Sequence, residues 1–149
     1  MKELKFPDAS SASAAINSQL RAWHRTKAQF SRLLESWEEA SKHLELKEFS
    51  IIEEPEKIGC GVAYGKPYKV FLRSTVLNNK IMGKVSVVMT EPVIGDPFIV
   101  TEFLLDTRDN FMTLSGSPFF GEHDDTASFR IVCEAIFRVI EANAPADLA

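Results

Sequence analysis

The residue types able to do chemistry occur in this chain in scattered places, and at each place a group that the chemistry needs is missing. Gly59-Cys60-Gly61-Val62-Ala63-Tyr64 begins like a dinucleotide-binding fingerprint. Its third glycine position is Tyr64, and a strand pattern follows where a helix would have to start, so a phosphate finds no helix N-terminus there. Gly65-Lys66-Pro67 fails as a phosphate loop. The glycine five residues earlier is replaced by Cys60, and Pro67 has no hydroxyl for magnesium. A strand punctuated by glycine for a bulge or a close backbone approach is the expectation instead.

Cys60 lies between Lys57 and Lys66, cations that would favour its thiolate, but no histidine near it in sequence can serve as base. Glu122-His123-Asp124-Asp125 gathers potential metal ligands on consecutive residues, which do not converge on one ion without help from elsewhere. Capping of a following helix accounts for its acids. His24 and His43 have no second histidine at ligand spacing. Ser115-Gly116-Ser117-Pro118 lacks the Gly-x-Ser-x-Gly order of a nucleophile elbow. Asp106 and Asp109 flank a turn, where aspartate is favoured for its own backbone hydrogen bonds. The sequence therefore predicts no catalytic residue, no metal and no cofactor.

The elements that would position any site follow from periodicity. Asp8, Ser10 or Ser11 can cap a helix, and from there to about Leu44 there is neither Gly nor Pro. Ile16, Leu20, Trp23, Phe30, Leu34, Trp37 and Leu44 recur on a 4-3-4-3 spacing, with Lys27 and Ser41 filling the gaps, as on one stripe of a helix. Strand patterns follow over 47–54, 58–64, 68–77, 81–90, 98–105 and 111–114, separated by Gly, Pro, Asn and Asp. In the third, Tyr68, Val70 and Leu72 face one way and Lys69, Phe71 and Arg73 the other. Asn78-Asn79 suits a hairpin turn. Connections this short predict an antiparallel meander rather than crossovers. A second helix follows, capped by Asp124, Asp125 or Thr126, with Phe129, Val132, Cys133, Ile136, Val139 and Ile140 on its buried face and Pro145 at its end.

The expected fold is thus α+β. It has a long N-terminal helix, a meander of about six strands, and a C-terminal helix packed with the first on one face of the sheet. The 149 residues form one domain with flexible tails at 1–8 and 144–149. Eleven Phe and 45% hydrophobic residues exclude a disordered chain. No stretch reads as a secretory signal or a membrane span, and two distant cysteines form no disulfide framework, so a cytoplasmic protein is expected.

Helix length and charge carry the functional expectation. Residues 11–43 extend about 50 Å as a helix, against a domain diameter near 40 Å. An apolar stripe on such a rod predicts a partner-binding surface anchored by Trp23, Phe30, Leu34 and Trp37, with homodimerisation the simplest form. Between Lys57 and Thr90 the charges are Lys57, Lys66, Lys69, Arg73, Lys80 and Lys84, with no acid. From Glu91 onward the only cations are Arg108, Arg130 and Arg138. Lys69, Phe71, Arg73 and Lys84 could meet an anionic partner, or Glu102 could neutralise Lys84 across neighbouring strands. The net charge of −4 disfavours a general nucleic-acid binder. The reading is a non-enzymatic binding or assembly module, such as an accessory, chaperone-like or antagonist protein. The alternative is a small-molecule protein or enzyme with an apolar pocket between sheet and helix, lined by Tyr64, Tyr68, Met89, Phe103 and Phe111.

Overall fold

The computed structural model describes residues 3–46, 48–121 and 124–143. Met1 and Lys2 of the expected N-terminal tail, Lys47 of the first expected strand, Glu122 and His123, and the expected tail 144–149 with Pro145 lie outside the described residues.

Without Gly or Pro to interrupt it, the first helix, α1, runs unbroken over Ala9–His43. Asp8 caps it: one carboxylate oxygen accepts the Ser11 backbone N–H at 2.7 Å. That bond holds the Asp8 carboxyl below its ordinary range. At the other end the Leu46 N–H donates to the Ser41 carbonyl at 2.7 Å, over Glu45 in the left-handed region at φ 61.

Six strands follow: β1 Phe49–Ile52, β2 Ile58–Ala63, β3 Lys66–Leu77, β4 Lys80–Thr90, β5 Pro97–Leu105 and β6 Phe111–Met112. They form one antiparallel sheet in sequence order, the expected meander. The ends differ by a residue or two from the sequence reading. Lys66 and Pro67 belong to β3, and the turn before it is Tyr64-Gly65, with φ of 49 and 76. Asn78 and Asn79, with φ of 52 and 63, make the tight turn of the β3–β4 hairpin.

The second helix, α2, spans Ala127–Glu141. Thr126 is its N-cap residue but makes no side-chain capping bond. Asp124 instead accepts the Thr126 N–H and hydroxyl and pairs with Arg130 at 2.9 Å. Its buried stripe is Ile131, Val132, Ala135, Ile136 and Val139, turned from the expected one. Phe129 is partly exposed and meets the His43 ring edge-on at 5.8 Å, and Cys133 sits at the border of the buried stripe.

Both helices pack on one face of the sheet. Alternate residues Tyr68 and Val70 of β3, Val85 and Val87 of β4, and Phe103 and Leu105 of β5 build the core with Phe30, Leu33, Leu34 and Trp37 of α1. Glycines let the helix settle closely. A Cβ at Gly59 would lie 2.9 Å from a Leu34 methyl, and one at Gly83 would lie 2.7 Å from the Thr26 methyl.

Candidate docking surface

α1 divides into two halves by burial. Thr26, Phe30, Leu33, Leu34, Trp37, Ala40 and Ser41 are buried, and no residue before Thr26 is. Three of the four residues expected at a partner interface, Phe30, Leu34 and Trp37, are therefore corrected: they lie in the core of this chain itself. The glycine-lined seat on the sheet draws this half of the helix in. Trp37 also stacks on Phe49 at 6.1 Å and donates its indole N–H to the Tyr68 hydroxyl at 2.8 Å. Trp23 alone stands at the border, half-buried.

Toward the N-terminus the same stripe continues outside the core, flanked by Lys5 and Phe6 of the segment before the helix. Ile16 is 64% exposed and Leu20 48%. Together with Trp23 they line a trough of about 450 Å³ whose other walls are Ser74 and Ile81 of the long hairpin and Lys5 and Phe6 of the N-terminal segment. Val76, paired with Ile81 across the hairpin, is 67% exposed on this side. The charge of this half is one-sided. Residues 9–34 contain Arg21, His24, Arg25, Lys27 and Arg32 and no acid. That asymmetry is visible in the sequence but escapes a reading that counts charges only along the strands.

The face of the sheet away from the helices brings the expected basic residues together. Arg73 stands directly across from Lys84, Phe71 from Ser86, and Lys69 from Val88. Lys69, Phe71, Arg73 and Val88 border a groove of about 1160 Å³ that Cys60 and Val62 also line, whereas Lys84 is not part of its lining. Glu102 does answer Lys84, at 3.8 Å, and its same oxygen accepts the buried Ser86 hydroxyl at 2.8 Å. Among the described residues no carboxylate forms an ion pair with Lys69 or Arg73. Lys66 is engaged elsewhere: its ammonium donates to the carbonyls of Ile140 and Ala142 at 2.7 and 2.8 Å, at the C-terminal end of α2.

The residues expected to line one pocket between sheet and helix are separated: Phe103 lines a concavity of about 420 Å³ between β5 and α2, and Tyr68 lines the large groove. Tyr68, Met89, Phe103 and Phe111 fill the core, Phe103 and Phe111 edge-on at 5.9 Å, while Tyr64 projects into solvent at the β2–β3 turn.

The groups weighed for chemistry are dispersed. Cys60 lies half-buried on the open face of the sheet, and burial pushes the Cys133 thiol above its ordinary range, away from the reactive thiolate. Thr113 and Ser115 bond each other at 3.0 Å, and the Ser117 N–H donates to the Thr113 hydroxyl, so this loop is a self-satisfied turn. The Asp106 carboxylate accepts the N–H groups of Arg108 and Asn110 at 2.8 and 2.9 Å. Glu122 and His123 lie outside the described residues. Among the described residues no group of His, Cys, Asp and Glu converges as a metal site, and no helix is long and apolar enough to cross a membrane. Glu91, overlooked in the sequence, is buried and accepts the N–H groups of Val93 and Ile94, fixing a β4–β5 loop with two exposed aliphatic residues.

Comparison with protein-family models, with curated proteins and with solved structures finds no match.

Proposed function

We propose that this chain is a non-enzymatic protein-binding module, an accessory protein of the chaperone-like or antagonist kind. It works with a second copy or within a larger complex, and the N-terminal half of α1 is its docking element. One observation carries the reading: an amphipathic helix of 35 residues is seated in its own core only from Thr26 onward, leaving Ile16 and Leu20 exposed on the same stripe. An isolated helix end in water is marginal, and packing of its apolar stripe is what stabilises helices in proteins. A partner that covers Ile16, Leu20 and Trp23 supplies that packing. The protein is read as cytoplasmic, in keeping with its two free thiols, Cys60 and Cys133.

The test is quantitative capture from cells that make the protein, comparing the wild type with the double variant Ile16→Asp/Leu20→Asp. A protein, whether a second copy or another chain, retained by the wild type and lost by a variant of unchanged circular dichroism supports the reading. Equal retention by both overturns it.

A further inference from the structure

We propose that the open edge of β3 from Phe71 to Leu77 is a strand-addition site for an extended partner segment in which apolar and acidic residues alternate. The proposal rests on the reading of the chain as a protein-binding module and names the kind of partner.

The register leaves this edge bare. The β2–β3 ladder ends at the pair Gly59 and Val70, whereas β3 continues to Leu77, paired only with β4. Among the described residues no loop or helix supplies a backbone hydrogen bond to this stretch. Half of its main-chain N–H and C=O groups therefore point away from β4 toward an unfilled strand position. Proteins usually blunt such edges with proline, a bulge or a covering element, and Phe71-Leu72-Arg73-Ser74-Thr75-Val76-Leu77 has no proline and no break in its pairing with β4. An incoming strand gains main-chain hydrogen bonds from the edge, and its alternate side chains enter whatever lies on the two faces.

Here the two faces differ. On the helix side lies the trough of Ile16, Leu20 and Trp23, with Val76 exposed beside it. On the other side lies the large groove bordered by Phe71 and Arg73. Trp23 and Ser74 line both concavities, so the edge runs between them. A strand laid along it sends one set of side chains into apolar surroundings and the other toward Arg73, which has no ion-pair partner among the described residues. Glu48 and Glu56 line that groove too, but neither forms an ion pair with Arg73 among the described residues. Period-two alternation of apolar and acidic residues is the pattern that satisfies both faces. A second copy pairing edge to edge would bring Arg73 near its own counterpart, which disfavours self-association by this route.

The test uses the full chain and short synthetic peptides alternating valine with glutamate or valine with lysine. The readouts are Trp23 emission, since Trp37 is buried, and amide exchange at residues 71–77. The glutamate peptide is expected to bind, to protect amides in β3 beyond Phe71, and to exceed the lysine peptide by about tenfold, the worth of one or two exposed ion pairs. Arg73→Glu is expected to abolish or reverse that preference. N-methylation of one alternate set of peptide amides abolishes binding while the other set spares it. Equal affinity for both peptides, equal sensitivity to both methylation patterns, or no binding overturns the proposal. So does protection of the same amides in the chain alone on dimerisation. The capture experiment on Ile16 and Leu20 judges the parent reading separately, because it depends on neither backbone pairing nor charge.

Discussion

The indole N–H of Trp37 donates to the hydroxyl of Tyr68 at 2.8 Å, and both side chains lie inside the core. The pair ties the seated half of α1 to the third strand. Gly61 sits across from Tyr68 in the sheet, and a Cβ there would lie 2.5 Å from the phenol ring, so this strand must be bare at that point. Tyr68→Phe keeps the ring and leaves the indole donor without its partner. It is expected to lower the unfolding free energy by about 1–3 kcal/mol, the cost of a buried unsatisfied donor, as read from denaturant titration.

The same phenol sets a limit at high pH. Burial pushes the Tyr68 hydroxyl above its ordinary value of 10.0. The unfolded chain therefore loses this proton first. The contribution to stability is intact below pH 10 and falls as the pH rises toward the folded value. Thermal midpoints measured through that window should fall more steeply for the wild type than for Tyr68→Phe. Parallel slopes contradict the assignment.

Much of the fold was legible because its signals are local. The absence of Gly and Pro fixed the extent of α1, and the alternation Tyr68, Val70, Leu72 against Lys69, Phe71, Arg73 fixed the faces of β3. Asn78-Asn79 marked the hairpin. The seating of α1 was not legible, since one continuous stripe carries both Leu20, which is exposed, and Leu34, which is not. What separates them is the glycine-lined surface of Gly59 and Gly83, brought beneath the helix by strand pairing. The bare edge of β3 was hidden for the same reason, because strand lengths were readable but the register ending at Val70 was not. The residues expected to share one pocket part company, since Phe103 lines a concavity against α2 while Phe111 lies in the core.

Asp109 offers a test of the turn before β6. It holds φ 65, and burial outweighs the favourable Arg32 charge and raises its carboxyl above the usual range. The charged form is thus disfavoured in the fold at neutral pH. Asparagine tolerates the same backbone and carries no charge. Asp109→Asn is expected to raise the thermal midpoint at pH 7. The gain should shrink as the pH falls and vanish below the unfolded value of 3.8, where both states become protonated.

The division of α1 predicts opposite outcomes for two residues of one stripe. Phe30→Ala removes a buried ring and should cost about 3–5 kcal/mol in denaturant unfolding. Leu20→Ala should change stability of the isolated chain by less than about 1 kcal/mol, since its side chain is already 48% exposed. Equal losses would mean that the N-terminal half is seated as firmly as the rest.

Site-specific photo-cross-linking in cells is the most direct measurement of the docking surface. A photoreactive residue placed at Leu20 should yield a discrete protein adduct, whereas the same residue at the exposed Glu35, toward the seated end of the helix, should not. Adducts absent from position 20, or equal at both positions, would contradict the account.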